Sequence, residues 1–409
     1  MTEPSVRTLR EDEKVEASRV VNYGMLGSIS DDVSQGWAEI MEADRAFGAF
    51  SAEGRLVGLA RHFASELRVP GGEVAAAGVT AVAVLPTHRR QGHLDRMMRA
   101  QLRAIADEQT PVALLVAAEW EIYGRYGYGP AIDACGFEID AGTARFRTPA
   151  TGAIELVLPD VLRPSLEACH EERRARTPGA IRREPAAWDV FAGVRPQPGQ
   201  PPDAGQRRGA VWRDDAGVVA GAVAYEVDGG WHRNRPAATA DVTLLVGATP
   251  EAERELWRHL CEIDWVRTVR AGNRAVDDPL PFLLGDGRAA VAVDRFDCIW
   301  ARILDLPGAF RDHRRAVGDA VVVEVVDPLG YAAGRWRLEL GPDGSEVTGT
   351  SASAEVTLPI GTLGAAFLGG KPVRRLNEAG WLDEERPGGA DRLGALLATP
   401  SAPWSPTTY

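Results

Sequence analysis

The segment 79–105 constrains the fold of this chain more than any other, because it passes from strand to helix through a turn of unusual composition. Apolar residues and β-formers continue to Val84, and Pro86 interrupts them. Two arginines and Gly92 follow, and apolar side chains then recur on one helical face. The next unbroken apolar run, 111–118, is typical of a buried strand. This order predicts a strand–helix–strand crossover.

Helices and antiparallel strands are predicted before the crossover, and one further strand is predicted after it. Apolar spacing favours helices within 10–45, and the turn-forming sequence SAEGR joins two predicted strands, 46–50 and 56–67. A further strand is predicted over 74–84, and the chain returns to strand near 132–146. Helices, antiparallel strands and one crossover together predict an α+β domain.

A fainter copy of the same order occupies 155–290. A predicted hairpin and strand lead to a helix whose start, Thr249-Pro250-Glu251, is a good amino-terminal cap, but no arginine–glycine pair precedes it. A third segment begins near Ile299 and mixes strands with a helix. The 409 residues exceed what one hydrophobic core usually supports. We therefore predict three domains, at 1–150, 151–295 and 296–409.

Composition argues against several classes of function. The formal net charge of −12 is not that of a nucleic-acid-binding protein. No apolar run approaches the ~20 residues that cross a bilayer, and no hydrophobic segment follows the charged amino terminus, so we expect a soluble, cytoplasmic protein without a membrane span. The four cysteines lack CxxC spacing and the seven histidines lack metal-ligand spacing, so free thiols and no metal are expected.

The turn between the predicted strand and helix has the chemistry of a pyrophosphate site. Unpaired N–H groups at a helix amino terminus attract anions, and a glycine lets a phosphate approach the backbone closely. Arg89 and Arg90 add charged donors beside Gly92. The preceding strand, 81–84, offers a backbone edge to an amide-bearing arm, so pantetheine joined to a pyrophosphate fits this junction. The alternative is an ordinary loop with solvated arginines.

A second motif, IYGRYGYGP at 122–130, follows the next predicted strand. Expulsion of a thiolate from such a ligand requires an acid, and a tyrosine, with an ordinary pKa of ~10, is protonated at neutral pH. A leaving thiol has a pKa of ~8.5, so complete transfer of the proton costs roughly 2 kcal/mol. Tyr123, Tyr126 and Tyr128 are the candidates, and two of the three are expected to be core residues.

Together, VAVLPTHRRQGHL and AAEWEIYGRYGYGPA resemble the Gcn5-related N-acetyltransferases (GNAT), and in particular their Eis (enhanced intracellular survival) family. The resemblance covers the whole chain. The second copy is similar to the family's degenerate second acetyltransferase domain, and DDPLPFLL, IWARILDLPGAF and TLGAAFLGG are similar to its linker and third domain. The resemblance implies an α+β fold with tandem GNAT domains, the second degenerate, followed by a sterol-carrier-protein-like α+β domain.

The resemblance also implies site residues. The family's general acid falls on Tyr123, its catalytic base on the α-carboxylate of Tyr409, and its pocket tryptophan on Trp37. Its contacts with acetyl-CoA fall on the strand, the turn and the end of the next strand: Val82, Ala83, Val84, Arg90, Gln91, Gly92, His93, Leu94, Asp95, Ala118 and Glu119.

Three positions depart from the family pattern. Leu94 stands in the last place of the motif R-x-x-G-x-G/A. Members that acetylate aminoglycosides have an acidic residue in the first helix, where this chain has Gly24 and Met25. They also have a bulky aromatic residue where this chain has Ala81. Acetyl transfer is therefore expected, and aminoglycosides are not implied as acceptors.

The preferred hypothesis is an N-acetyltransferase in which a primary amine, on a small molecule or of lysine type, attacks acetyl-CoA directly in a ternary complex. The Tyr409 carboxylate accepts the proton of the amine, and Tyr123 protonates the leaving thiolate. By resemblance, the chain is expected to form a homohexamer. Two alternatives stay open: a lipid- or sterol-binding carrier and an acetyl-CoA sensor, each with the acetyltransferase folds as scaffold.

Overall fold

The computed structural model describes residues 5–28, 30–195 and 207–408. Over these residues a mixed twelve-stranded sheet runs through the chain as far as Ile303, with a two-stranded hairpin beside it, and a five-stranded sheet belongs to the remainder. Within the same ranges every helix is too short or too polar to span a bilayer.

The first copy of the sequence pattern, residues 5–140, contains the predicted elements together with two more. They are β1 (Ser5–Thr8), α1 (Lys14–Gly24), α2 (Asp31–Glu39), β2 (Ala46–Phe50), β3 (Leu56–Val69), β4 (Gly72–Val84), α3 (His93–Asp107), β5 (Val112–Leu115), α4 (Trp120–Tyr123) and β6 (Gly129–Asp140). The two that were not predicted are β1 and α4. The hairpin between β2 and β3 and the crossover of α3 between parallel β4 and β5 confirm the sequence prediction. Helix α3 buries Met97, Met98, Leu102 and Ile105 against the sheet, each at 0 % exposure.

The second copy repeats this order. Its elements are β7 (Ala153–Val157), α5 (Pro159–Arg174), α6 (Pro185–Phe191), β8 (Arg208–Arg213), β9 (Val219–Asp228), β10 (Trp231–His232), β11 (Arg235–Pro236), β12 (Ala238–Gly247), α7 (Pro250–Glu262), β13 (Val266–Ala275), α8 (Leu280–Leu283) and β14 (Ala290–Ile303). The predicted cap of α7 is confirmed, because the Thr249 hydroxyl accepts the N–H of Ala252 at 3.1 Å.

The two copies form one sheet because they exchange their last strands. Among the described residues the strand order is β1-β2-β3-β4-β5-β14-β6-β13-β12-β9-β8-β7. Strand β14 of the second copy pairs antiparallel with β5 and β6 of the first, and β6 pairs antiparallel with β13. Neither copy therefore has a complete sheet without the other. Strand β14 also crosses position 295, where the sequence predicts a boundary, and that boundary stays a prediction.

The third unit packs against strands β6 and β14 so closely that backbone atoms of the two sides are in contact. Its elements are α9 (Leu306–Phe310), β15 (Asp319–Val326), β16 (Gly334–Leu340), β17 (Ser345–Gly349), β18 (Val356–Pro359), α10 (Ile360–Ala366), α11 (Val373–Glu378), β19 (Asp383–Glu384) and α12 (Gly389–Leu397). A Cβ on Gly129 of β6 would overlap the carbonyl oxygen of Gly361 on α10. Nearby, Arg302 Nη2 of β14 donates to both carboxylate oxygens of fully buried Asp327, at 2.9 and 2.8 Å. Close packing and a buried ion pair therefore fix this interface.

Candidate active site

A cleft opens between β4 and β5 because these parallel strands separate towards their carboxyl ends. In the described structure they pair only where 76–78 meets 112–114. Strand β4 then gains one residue relative to β3, between Thr80 and Ala83, and Ala81 adopts a left-handed backbone with φ of +54°. Such a bulge bends a strand away from its neighbour. The later part of β4 therefore has an unpaired edge on the side of β5.

The turn that leaves β4 presents backbone N–H groups at the start of α3. Gly92 directly precedes the helix, is exposed, and has φ of +77°, a conformation that favours glycine. The N-cap glycine has no side chain that could cap this helix, so the N–H groups of His93, Leu94 and Asp95 have no acceptor within it. These groups and the helix dipole together suit an anion such as a pyrophosphate.

The arginines around this turn have different surroundings. Arg89, which sequence analysis groups with Arg90 at the phosphates, donates from Nη2 to the carbonyl oxygen of Gly24 at 3.0 Å and so joins the turn to α1. Arg90 is exposed and has φ of +62°. Arg96 was missed by sequence reasoning, although it lies one helical turn after Gly92, and its Nη1 would be 3.3 Å from a Cβ built there. Arg90 and Arg96 therefore join Arg89 as cations around the turn, and Arg89 also connects the turn to α1.

The other predicted contacts at the turn, Gln91 and residues 93–95, differ in their burial and in their hydrogen bonds. Gln91 is exposed, and its carbonyl oxygen accepts a hydrogen bond of 2.9 Å from Arg96. Burial, with a smaller contribution from nearby positive charge, lowers the pKa of His93, so its ring is neutral at pH 7. Leu94 is half-buried against the core below the cleft. Asp95 accepts a hydrogen bond of 2.8 Å from Arg99, which offsets its negative charge beside the site.

Two groups of predicted contacts form the walls of the cleft. Ala83 is buried on β4, and Val82 and Val84 are half-buried beside it. Ala118 and Glu119 are exposed and lie between the end of β5 and the start of α4. The carboxyl ends of adjacent parallel strands meet at one edge of a sheet. These five residues therefore flank the same opening.

Three tyrosines pack at the base of the cleft. Tyr123, Tyr126 and Tyr128 belong to one buried cluster that also contains Val79 of β4. The rings of Tyr123 and Tyr128 meet edge to face, with centroids 6.2 Å apart. Burial, with a smaller contribution from the negative charge of Glu119, raises the pKa of Tyr123 to about 12. Its hydroxyl therefore keeps its proton across the physiological pH range.

Helix α1 covers the β4 wall, and α2 packs against α1. A Cβ on Gly24, at the end of α1, would lie 2.8 Å from the Cβ of Ala83 and 3.4 Å from the carbonyl oxygen of Val84. Helix α1 thus contacts the predicted acetyl-binding strand directly. Met25 is exposed, and Trp37 on α2 is half-buried. The rim at the end of α1 is therefore apolar, with Met25 exposed there.

Tyr409, the predicted base, lies outside the described residues. The residues before it are buried from Pro403 to Thr407. The backbone N–H of Trp404 donates to the carbonyl oxygen of Pro178 at 2.9 Å. The tail is thus held inside the molecule almost to the last described residue, Thr408, which is half-buried.

Comparison with known families gives the same three-part organisation. The family description "Acetyltransferase (GNAT) domain" matches residues 5–131, and a second family with that description matches residues 179–303. The description "Sterol carrier protein domain" matches residues 306–406.

Similar proteins cover nearly the whole chain. An uncharacterised N-acetyltransferase of Streptomyces griseus is 37 % identical over 419 residues, which cover 99 % of each protein. The N-acetyltransferase Eis of Mycobacterium tuberculosis is 33 % identical over 386 residues, 91 % of each protein. The crystal structure of Eis1 from Mycobacterium abscessus superposes with a TM-score of 0.86 at 31 % identity, covering 99 % of this chain and 100 % of that one.

The cleft and these similarities together identify the protein as an enzyme of the Gcn5-related N-acetyltransferase class. More particularly, the chain belongs to the Eis family. The predicted fold class, tandem GNAT domains followed by a sterol-carrier-like domain, is confirmed. This fold implies acetyl-CoA as the acetyl donor.

Gly92→Glu is expected to abolish measurable binding of acetyl-CoA. The new carboxylate would occupy the position that suits the pyrophosphate and would repel its charge. Isothermal calorimetry with acetyl-CoA measures this loss, and unchanged affinity would contradict the assignment of the whole junction.

Gly217→Glu is the matched control. Gly217 lies in the turn between β8 and β9, has φ of +80°, and has open space where a Cβ would project. The control introduces the same charge and a similar backbone strain far from the cleft. It should bind acetyl-CoA as the parent protein does.

Proposed function

We propose that the enzyme transfers the acetyl group of acetyl-CoA directly to a primary amine, with both substrates bound together. The observation that carries this proposal is the open β4–β5 cleft, which ends at the uncapped amino terminus of α3. A strand edge next to an anion site matches the amides and pyrophosphate of the coenzyme. Acetyl-CoA supplies an activated thioester, and the residues of the chain bind it and move protons.

In this proposal the cofactor contacts are divided between the two strands and the turn. The backbone edge at Val82, Ala83 and Val84 binds the pantetheine arm, and Ala118 and Glu119 face it from the end of β5. The pyrophosphate takes the N–H groups of the first turn of α3 and the charges around it, from residues 90–96. Donors of this kind are stronger towards a charged group than towards a neutral one.

Tyr123 is the proposed proton donor to the leaving sulfur. Its pKa of about 12 exceeds that of a free thiol by about 3.5 units, so complete transfer of the proton costs roughly 5 kcal/mol. This cost is larger than the roughly 2 kcal/mol that an ordinary tyrosine pKa predicts. Tyr123 would therefore donate a hydrogen bond that strengthens as negative charge develops on the sulfur, with partial transfer in the transition state.

Direct attack is supported by the state of the cysteines. All four are buried as free thiols. Burial raises the pKa of Cys169 to about 11 and those of Cys261 and Cys298 to about 12, and it also raises that of Cys135. A thiol must lose its proton to act as a nucleophile. An acetyl-cysteine intermediate is therefore unfavourable.

The α-carboxylate of Tyr409 is the proposed acceptor of the proton that the amine loses. A free terminal carboxylate has a pKa of ~3.5, so it serves as a base at pH 7 only when desolvation raises that value. The burial of the preceding residues, from Pro403 to Thr407, supports such an environment.

The acceptor is proposed to be a small-molecule or lysine-type amine that passes Trp37 and the apolar end of α1. The domain limits and the cytoplasmic location predicted from the sequence are part of the same proposal, as is the homohexameric assembly that the resemblance to the Eis family implies.

Tyr123→Phe is expected to lower kcat by roughly 10²–10⁴-fold, with little change in acetyl-CoA affinity, because it removes the proton donor and keeps the ring. Since the raised pKa keeps the hydroxyl protonated, the parent enzyme should lose no activity through Tyr123 below about pH 10. Steady-state rates of CoA release from pH 6 to 10 test both expectations.

Tyr126→Phe serves as the control, because Tyr126 lies in the same buried cluster. It should retain most of the activity. A large loss in Tyr126→Phe with an active Tyr123→Phe would show that the acid is assigned to the wrong tyrosine.

One glycine added after Tyr409 should lower kcat by ~10²-fold or more, since it moves the terminal carboxylate by up to ~3.5 Å. Acetyl-CoA binding and thermal stability should be unchanged. The assay compares this variant with one that has a glycine added at the amino terminus, using a panel of primary amines. A normal rate from the carboxyl-terminal extension would contradict the role of Tyr409.

A further inference from the structure

The second copy has a cleft equivalent to the one in the first. Strands β12 and β13 pair in parallel over 238–242 and 266–271, and in the described structure their pairing ends there. Strand β12 continues alongside β9, with a register shift between Val242 and Leu244. This is the same combination of parallel pairing, bulge and separation that opens the β4–β5 cleft.

The helix that follows this second cleft is closed to a phosphate. Eight residues, 85–92, connect β4 to α3, but only Ala248 and Thr249 connect β12 to α7. Pro250 has no N–H, and the Thr249 hydroxyl already accepts the N–H of Ala252. The buried Glu253 also lies in this first turn, where its carboxylate pairs with Arg173 and Arg274. The second cleft therefore lacks the anion site that coenzyme A needs.

The carboxyl-terminal tail of the chain occupies the second cleft instead. Residues 404 and 406–408 line one space together with 242–245 of β12 and 271–274 of β13. Ser405 is 0 % exposed and Trp404 is 2 % exposed. The buried tail thus lines the opening between the two separated strands, at the place equivalent to the one proposed for the pantetheine arm in the first copy.

Asn273 binds the tail through both ends of its side-chain amide. Its Nδ2 donates to the carbonyl oxygens of Ser405 at 3.0 Å and Pro406 at 3.3 Å. Its Oδ1 accepts the indole N–H of Trp404 at 3.3 Å. These three bonds join one side chain to three consecutive tail residues and therefore define which tail residue stands at which point of the cleft.

A buried charge holds the tryptophan of the tail. The guanidinium of Arg274 lies 4.8 Å from the ring centroid of Trp404, within the range of a cation–π interaction. Arg274 is itself fixed by ion pairs with Glu253 and with Asp278, the latter at 2.7 Å. The anchor for Trp404 is thus rigid and belongs wholly to the second copy.

We propose that the second acetyltransferase copy serves as a receptor for the carboxyl-terminal tail, and that Asn273 is the positioning residue that sets the register of the tail in it. The consequence for catalysis rests on the proposed role of Tyr409. A slip of one residue would move the chain end by up to ~3.5 Å, enough to misplace a terminal base. The degenerate copy then serves the reaction of the first copy by holding its base in place.

Asn273→Asp tests this proposal in the full-length protein. The substitution keeps the shape of the side chain and the acceptor for Trp404, but it replaces the N–H donors by an oxygen that faces two carbonyl groups. Loss of these bonds should speed the release of threonine from residues 408 and 407 by a carboxypeptidase that stops at proline, by at least ~10-fold. The same variant should lower kcat by ~10-fold or more and leave KM for acetyl-CoA within about twofold.

Asn377→Asp on α11 is the matched control, because it makes the same change at another half-buried asparagine, away from the tail and the cleft. It should match the parent protein in threonine release, kcat and KM. Thermal melts of both variants show whether a change in global stability accounts for any faster release.

The outcomes separate this inference from the proposed function. Faster threonine release with a lower kcat supports both the receptor role and the terminal base. Faster release with a normal kcat supports the receptor role and contradicts Tyr409 as the base. Release at the parent rate would overturn the assignment of Asn273, whatever the activity.

Discussion

Parallel strands that separate leave backbone N–H and C=O groups without strand partners, and such groups are costly to bury unpaired. Within the described residues such a separation occurs between β4 and β5 and again between β12 and β13. Each opening requires a partner of extended shape. In the second copy the tail of the chain lies at the opening, and the side-chain amide of Asn273 binds it. In the first copy we assign this place to the pantetheine arm of acetyl-CoA.

The exchange of strands makes these two clefts parts of one structure. Because β14 lies between β5 and β6, and β6 lies between β14 and β13, the halves of the sheet cannot be separated without breaking its centre. The third unit is attached to the same centre through the buried pair of Arg302 and Asp327. Breaking a buried pair of this kind by removing one partner typically costs about 3–5 kcal/mol. The tail therefore starts from a fixed point before it enters the second cleft.

Local features of this architecture could be predicted from the sequence. The hairpin across SAEGR, the crossover helix and the cap at Thr249 each depend on residues close together in the chain, and all three are confirmed. The left-handed backbone at Gly92 follows from the same local chemistry. The family, too, could be identified from short motifs in their order along the chain.

Features that depend on distant contacts could not be predicted in this way. Arg89 was assigned to the phosphates, but it binds the carbonyl oxygen of Gly24, 65 positions away in the sequence. The partners of Asn273 lie more than 130 positions away, so no local pattern marks it. The pKa of Tyr123 was taken at its ordinary value, and burial in the folded core raises it. Tyr409 as the base stays a prediction.

The central claim is a division of roles, in which the first copy binds the cofactor and the second binds the tail of the chain. The number of acetyl-CoA molecules bound per chain tests it most directly, by calorimetric titration of the full-length protein at a known active concentration. The account predicts one acetyl-CoA per chain, because the tail lines the second cleft and the helix terminus there is closed to phosphate. Two equivalents bound per chain would contradict it.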